Sequence, residues 1–294
     1  MKNAFDSEMT NRAKVIAAMN AYFERGDHER GMLVIKARYE VGKKYGATVD
    51  DMSRFEIGDC IGILVNATPT LFWSMVHVYS DPALLSSLRK EIDAHLATNP
   101  SPTGTSHSVH AGKLQEDCPL LFSTFREVLR YRTHNSTSRW VSEETILADQ
   151  YLLKKDSVLL MPGGVVHMDS SVWGEDVNMF NPRRFLKQDS KSAKARLHPG
   201  AFRAWGGGSS LCPGRFFATT EITSVLAMFV VRFDVNPASG DAWVIPKTEH
   251  SRVASSMHPP LNDVKVKITT RNGFEGHEWR YAFDSAHGNG YAEE

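Results

Sequence analysis

The sequence is poor in cysteine, balanced in charge and without a long uninterrupted apolar run. Its three cysteines, at 60, 118 and 212, are odd in number and far apart, and no CxxC pair occurs. This argues against a disulfide framework or a zinc ribbon and favours a reducing environment. Thirty-four basic residues balance 34 acidic ones, so charge gives no indication of binding to nucleic acid or to an anionic membrane.

Signals that would assign a membrane or a compartment are also lacking. The first eight residues, MKNAFDSE, are polar and form no signal-peptide core. The most apolar stretch, residues 57–79, contains Asp59, Pro69 and His77. These residues favour a buried amphipathic helix over a membrane span.

The spacing of apolar residues predicts a mainly helical chain with small β-sheets, an α+β fold, in a single domain. The 294 residues, 41% of them apolar, are enough to bury a substantial core. Periodicity and capping residues predict helices over 10–25 and 29–44 in a packing region 1–47, then over 48–80, 82–96, 118–132 and 216–233. Short strands are predicted over 138–160 and after 233, an exposed loop over 99–112, and a disordered tail over 284–294.

The central helix, 48–80, carries a proline among polar side chains. Pro69 has no backbone N–H and is expected to kink or open the helix. Asn66, Thr68 and Thr70 beside it suggest a wall that faces a small ligand. A bent core helix whose threonines bond back to their own carbonyls explains the same pattern, and this segment alone favours that interpretation.

The loop over residues 205–215, WGGGSSLCPGR, has a different composition from the rest of the chain. Its consecutive glycines let the backbone approach a flat or bulky group, because glycine has no side chain to hold it away. Cys212 precedes a predicted helix, where the peptide dipoles favour a thiolate. Such a thiolate suits the axial ligand of a haem iron. A buried structural cysteine is the alternative, and the loop alone would favour it.

Two companion motifs precede this loop. Glu127 and Arg130 lie three residues apart on a predicted helix and can pair on one face. An exposed pair of this kind contributes only a few tenths of a kcal/mol and indicates nothing alone. The second motif is the segment 182–185, PRRF.

The loop resembles the haem loop of the cytochrome P-450 haem-thiolate family, Phe-x-x-Gly-x-x-x-Cys-x-Gly. It matches at Gly208, Cys212 and Gly214. Trp205 stands where the family usually has phenylalanine, and Ser210 replaces an Arg or His that contacts a haem propionate. The resemblance implies haem b bound through the Cys212 thiolate, with residues 200–233 forming the haem loop and the helix after it.

The companion motifs extend this resemblance in the family's order. Glu127-x-x-Arg130 resembles its Glu-x-x-Arg helix, and the segment 182–185 resembles its Pro-x-Arg-Phe. Each motif alone is weak, and three in order are strong. In the family, residues matching Glu127, Arg130 and Arg184 form a buried ionic cluster beneath the haem, with a structural rather than catalytic role. Arg139 matches an arginine often used on a haem propionate.

The chain departs from the family in two ways. It resembles only the C-terminal, haem-binding part, so the expectation is a truncated product, a fragment or an incompletely predicted gene. On the central helix, Val65 and Asn66 stand where the family has a proton-relaying acid and threonine. This resembles the sterol 7α-hydroxylase and prostacyclin synthase branch and similar fungal members. Asparagine can hydrogen-bond an iron-bound oxygen, and it cannot relay a proton as an acid or hydroxyl does.

The resemblance therefore implies a haem-thiolate monooxygenase that oxidises a lipophilic small molecule, such as a sterol, terpenoid or other secondary metabolite. Asn66 is its candidate catalytic residue, and a NADPH-dependent reductase would supply electrons. Two alternatives stay open: an isomerase or dehydratase acting on a peroxide, and a non-catalytic remnant. The family's anchored members imply the cytoplasmic face of the endoplasmic reticulum, if such an anchor exists.

Overall fold

The computed structural model describes residues 2–98, 104–186, 198, 200–240, 242–251 and 255–283. Its α-helices are α1 (Lys2–Glu24), α2 (Leu33–Lys44), α3 (Val49–Tyr79), α4 (Pro82–Ala97), α5 (Leu114–Asp117), α6 (Pro119–Arg132), α7 (Gly163–His167), α8 (Ser170–Trp173) and α9 (Arg215–Arg232). Its strands are β1 (Ser106–His110), β2 (Ser136–Trp140), β3 (Thr145–Leu147), β4 (Tyr151–Leu153), β5 (Val158–Pro162), β6 (Gly206–Gly207), β7 (Ser210–Leu211), β8 (Phe233–Pro237), β9 (Val266–Thr270) and β10 (Glu278–Ala282). The predicted α+β class is confirmed.

The chain divides into two compact units, residues 1–65 and residues 66–294. In the first unit, α1 begins at Lys2 rather than near residue 10. Ion pairs join Arg38 of α2 to Glu56 and to Asp59 of α3. The predicted helix over 29–44 begins only at Leu33, after a 3-10 turn over Asp27–Arg30.

Helix α3 confirms the predicted central helix and begins at a reciprocal cap. The Thr48 hydroxyl accepts from the Asp51 amide at 3.1 Å, and the Asp51 carboxylate accepts from the Thr48 amide at 3.0 Å. The helix continues through Pro69, and the Thr70 hydroxyl donates to the Asn66 carbonyl at 2.6 Å. Thr70 thus bonds back within its own helix, as the core-helix interpretation predicted.

Among the described helices, α3 alone is long and apolar enough to cross a membrane by length and composition. Of the 18 residues in its most apolar stretch, 39% are buried within the structure. A core helix passes the same test, so this property assigns no location.

The second unit is built on a helical core of α4, α6 and α9. Asp81 caps α4 by accepting from the amides of Ala83 and Leu84, each at 3.0 Å. Leu88, Leu121 and Leu226, one from each helix, are fully buried in a single apolar cluster. A neighbouring cluster centres on Trp73 and Phe125. Burial of one such side chain stabilises the fold by roughly 1.5–3 kcal/mol.

The strands form two-stranded sheets at the margins of this core. The pairs β2–β5, β3–β4, β6–β7 and β8–β9 are antiparallel. The pair β1–β10 is parallel, with Val109 opposite Tyr281. The prediction of an exposed loop over 99–112 is therefore wrong for its described part, because β1 lies there and Val109 is fully buried. The predicted tail, 284–294, lies outside the described residues.

A buried histidine links α3 to the end of α6. The His77 ring stacks on Phe180 with 3.9 Å between centroids, and its Nε2 accepts from the Arg132 guanidinium at 3.3 Å. Arg132 in turn lies over the ring of Trp73. Burial, reinforced by the positive charge of Arg132, lowers the pKa of His77 from 6.5 to about 3.

This depressed pKa makes stability fall with acid. Between pH 6.5 and about 3 the unfolded His77 binds a proton that the folded one does not, so stability is complete above pH 6.5 and is lost as pH falls. The slope is about 1.4 kcal/mol per pH unit. When the pH is lowered from 7 to 5, the free energy of unfolding should fall in both proteins, and in His77→Gln it should fall by about 2 kcal/mol less than in the wild type. Urea unfolding at the two pH values measures this difference. Equal losses would contradict this, and exposed His198→Gln is the control.

Candidate functional site

The loop with Cys212 folds as a tight hairpin made of β6 and β7. Gly206 and Gly208 adopt φ values of 87° and 73°, a left-handed conformation that favours glycine. After the hairpin, the Cys212 amide donates to the Trp205 carbonyl at 2.9 Å. The Trp205 ring packs against the apolar cluster around Trp73. The hairpin therefore holds Cys212 at a fixed position just before α9.

Two arginines hold the hairpin from its flanks. The guanidinium of Arg203 lies directly over Gly207, so a side chain at position 207 would displace it. The Arg139 guanidinium, from β2, donates to the Gly207 carbonyl at 3.0 Å. Arg139 thus contacts the loop, and Arg203 is an additional contact that the motifs did not reveal.

Cys212 is the cysteine best presented for ligation. It is free and exposed, whereas Cys118 is buried and burial raises the pKa of its thiol to about 12. Cys60 is also exposed, and it lies within the regular turns of α3. A Cβ on Gly214 would lie 3.8 Å from the Cys212 sulfur, so the glycine leaves that side of the sulfur uncovered. The residues present thus fit a haem bound at this sulfur.

Large apolar side chains flank Cys212 in the chain and remain exposed. Phe216 and Phe217, at the start of α9, are 70% and 56% exposed, and Leu211 is 42% exposed. Exposed aromatic side chains beside a glycine hairpin are typical of a surface that a ligand or partner covers. The sequence pattern did not single them out, because their spacing also fits the buried face of a helix.

Glu127 and Arg130 form a fully buried, bidentate ion pair on α6. Arg130 Nε and Nη2 donate to the two Glu127 carboxylate oxygens, each at 2.8 Å. Neither side chain is exposed to solvent. Because a buried charge is costly unless it is fully paired, the motif is structural rather than a surface pair.

Arg184 completes this cluster. Its Nε lies 3.1 Å from Glu127 Oε1, and its Nη1 donates to Asp176 Oδ1 at 2.9 Å. The Asn181 amide adds a further bond to Glu127, at 2.9 Å. The structure thus brings together the three predicted residues and a fourth, Asp176, whose carboxyl pKa is lowered chiefly by its hydrogen bond to Arg184.

His167 connects the ionic cluster to the hairpin. Arg130 Nη1 donates to the His167 carbonyl at 2.8 Å, and His167 Nε2 accepts from the Arg203 amide at 2.8 Å. Burial, with a contribution from the Arg130 charge, lowers the pKa of His167 to about 4. Its ring is therefore neutral at pH 7 and keeps its acceptor. The chain of contacts from Glu127 to Arg203 explains how buried charges position the cysteine loop.

Within the described part of the chain, Asn66 connects α3 to the segment with Ser256 and Met257, and not to the cysteine hairpin. Its side-chain oxygen accepts from the amides of Ser256 and Met257, at 2.9 and 3.1 Å. Within the residues that the structure describes, Asn66 forms no hydrogen bond to the hairpin. Its oxygen therefore holds the 256–257 segment against α3, and its amide nitrogen is the polar group left for other contacts.

A glycine hairpin that presents an exposed cysteine suits a haem-thiolate type of protein, and the chain belongs to the cytochrome P450 family, whose sequence profile matches residues 64–266. Members of this family bind haem through a cysteine thiolate. The cytochrome P450 monooxygenase nodJ of Hypoxylon pulicicidum is 36% identical over 279 residues, which are 93% of this chain and 54% of the relative.

Other relatives come from fungi and mammals. A cytochrome P450 monooxygenase of Gibberella zeae is 34% identical, over 87% of this chain and 50% of its own length. The human 7-alpha-hydroxycholest-4-en-3-one 12-alpha-hydroxylase is 29% identical, over 69% of this chain and 42% of its own length. The chain spans about half the length of the curated relatives it matches.

The ionic cluster predicts a ranking of stabilities. Glu127→Gln removes the charge that pairs with two buried arginines, so we expect a loss of about 3–5 kcal/mol in the free energy of unfolding. Asp176→Asn alters a half-exposed carboxylate and should cost less than about 1 kcal/mol. Urea unfolding followed by tryptophan fluorescence measures both. A loss at Asp176 as large as that at Glu127 would contradict the assignment of the buried charge to Glu127.

Proposed function

We propose that this chain binds haem b through the Cys212 thiolate and forms part of a monooxygenase. The carrying observation is an exposed cysteine on a glycine hairpin that is connected, through His167, to the buried Glu127–Arg130 pair. When bound, a thiolate-ligated haem activates dioxygen for insertion into a substrate. The protein would supply the ligand, the orientation and the exclusion of water.

Each residue of the hairpin has a distinct part in this proposal. Gly208 and Gly214 allow the backbone to approach the haem face, since neither has a side chain to hold it away. Trp205 closes the turn, because its carbonyl accepts a hydrogen bond from the Cys212 amide. Arg139 uses two of its donors on the carbonyls of Ser138 and Gly207, and its remaining N–H groups suit a propionate.

Asn66 would act as a hydrogen-bond donor. Its oxygen has both lone pairs occupied by the amides of Ser256 and Met257, so its Nδ2–H groups are available to orient a substrate or dioxygen. It has no acidic proton to deliver. Proton delivery would then come through ordered water or through the substrate itself.

We infer a lipophilic substrate and an electron donor from outside the chain. The human relative is named as a hydroxylase of a sterol derivative, and the fungal ones as monooxygenases. A sterol, terpenoid or similar secondary metabolite, with a NADPH-dependent reductase, is the corresponding proposal. Such a substrate partitions into membranes, which agrees with a site at the cytoplasmic face of the endoplasmic reticulum.

One observation favours a second candidate function, the isomerisation or dehydration of a peroxide. Val65 and Asn66 occupy the positions of the acid and alcohol that deliver protons in other members. A peroxide already contains the reduced oxygen, so its rearrangement needs no reductase electrons. Consumption of a lipid hydroperoxide without NADPH and reductase would favour this candidate over the monooxygenase.

The ligand assignment predicts a spectrum. The 294-residue protein, expressed with haem supplied, reduced and exposed to carbon monoxide, should give the strongly red-shifted Soret band of thiolate ligation. Cys212→Ser should abolish that band, whereas Cys60→Ser, at another exposed cysteine, should retain it. Absence of bound haem in the wild type, or a band that survives Cys212→Ser, would overturn the proposal.

If Asn66 acts as a hydrogen-bond donor, Asn66→Ala and Asn66→Asp should differ in stability but not in turnover. Asn66→Ala leaves two backbone amides without their acceptor, so we expect a loss of about 2 kcal/mol in the free energy of unfolding. Asn66→Asp keeps the accepting oxygen and removes the donor, so stability should be largely restored while turnover falls as in Asn66→Ala. Urea unfolding and substrate turnover measure the two effects. Full turnover in Asn66→Asp would exclude the donor role.

A further inference from the structure

Three histidines converge at a place that the proposed haem site does not use. His134 follows α6, while His250 and His258 come from the segment before β9. One ring nitrogen of each lies within 4.8 Å of those of the other two. His134 and His250 are exposed, so an ion from solvent can reach the cluster.

The closest pair makes a hydrogen-bond contact whose length also suits two ligands of one metal ion. His250 Nδ1 and His258 Nδ1 lie 3.3 Å apart. Two nitrogens bound tetrahedrally to zinc at about 2.0–2.1 Å are separated by about 3.3–3.4 Å. The third imidazole, His134, stacks on His258 with 5.1 Å between ring centroids. One of its ring nitrogens lies within 4.8 Å of those of the other two, so the His134 side chain has to reorient to bind the same ion.

The backbone around these ligands is fixed by contacts independent of any metal. The Trp73 indole donates to the His258 carbonyl at 2.8 Å, and the His134 amide donates to the Ser256 carbonyl at 2.8 Å. A backbone bridge also pairs Thr133 with Met257. Two ligands are therefore held by neighbours that do not depend on the ion, which lowers the ordering cost of binding.

The protonation state is compatible with ligation. Partial desolvation of its ring by the neighbouring side chains lowers the pKa of His134, and His258 and His250 lower it further. The pKa of His258 is lowered in the same way, by burial and then by His250. Neutral imidazole is the form that binds a metal. The lowered pKa values therefore agree with the ligand assignment, which rests on the distances between the ring nitrogens.

We propose that His134, His250 and His258 form a site for a divalent transition-metal ion such as Zn²⁺, with water as the fourth ligand. Three imidazoles and one open position is a known zinc ligand set. The ion would join the start of β2 to the segment around residues 250–258, which also contacts Asn66 through Ser256 and Met257. The site needs no haem, so this proposal can be tested independently of the proposed function.

A second histidine pair in the same unit serves as an internal control. His107 Nε2 and His277 Nδ1 lie 2.8 Å apart, a hydrogen-bond distance. Within the described residues, no third His, Cys, Asp or Glu side chain completes a ligand group around this pair. We expect it to bind zinc much more weakly, because two ligands without a third hold the ion poorly.

Equilibrium dialysis of tag-free protein against Zn²⁺ at pH 7.5, with metal content read by mass spectrometry, tests the site. Wild type and His277→Gln should bind about one ion per chain. His258→Gln and His250→Gln should bind at least tenfold more weakly. X-ray absorption of the bound zinc should show nitrogen ligands with imidazole scattering.

Folding is monitored separately, by circular dichroism and by the unfolding temperature without metal. Zinc should raise the unfolding temperature of the wild type and of His277→Gln, and not that of a folded His258→Gln. Unchanged affinity in His258→Gln, an equal loss in His277→Gln, or no binding at micromolar zinc would overturn the proposal. Because haem is not required, a failed carbon monoxide test leaves these outcomes unaffected.

Discussion

The buried carboxylate of Glu127 makes the contacts on which the arrangement of α6, the segment before Arg184 and the cysteine loop depends. It is fully buried, and it receives Arg130, Arg184 and the Asn181 amide at once. A charge in the interior is tolerated only when its lone pairs are occupied. Helix α6, the stretch before residue 184 and the start of the hairpin must therefore adopt mutually consistent positions for any of them to be stable.

Much of the positioning in this structure passes through backbone atoms. His167 transmits the cluster to the hairpin with a carbonyl on one side and a ring nitrogen on the other. Asn66 holds a distant segment by two main-chain amides. Because His167 and Asn66 accept from the main-chain amides of Arg203, Ser256 and Met257, those three side chains can vary without loss of the connection, and a motif does not reveal them.

The residues predicted from motifs and those missed differ for a physical reason. Glu127, Arg130 and Arg184 are predicted from the family resemblance, whose motifs have a fixed order and spacing, and the helices are predicted because capping and periodicity are local. His167 ends the five-residue helix α7, and Asp176 lies in a single 3-10 turn over Glu175–Asn178, and elements this short show no apolar period in the sequence. Strand β1, SHSVH, is largely polar, and its partner lies far along the chain, so nothing local indicated it. The haem contacts of Arg139, Trp205 and Asn66 stay predictions.

The parallel pairing of β1 with β10 has a consequence for biosynthesis. Val109 is fully buried in a sheet whose other strand is made only after the hairpin, α9 and β9 have been synthesised. During translation β1 therefore waits with an unpaired edge while α4 and α6 are already able to pack. Such long-range pairing is slow and exposes intermediates to aggregation. Completion of this sheet therefore has to await the synthesis of β10.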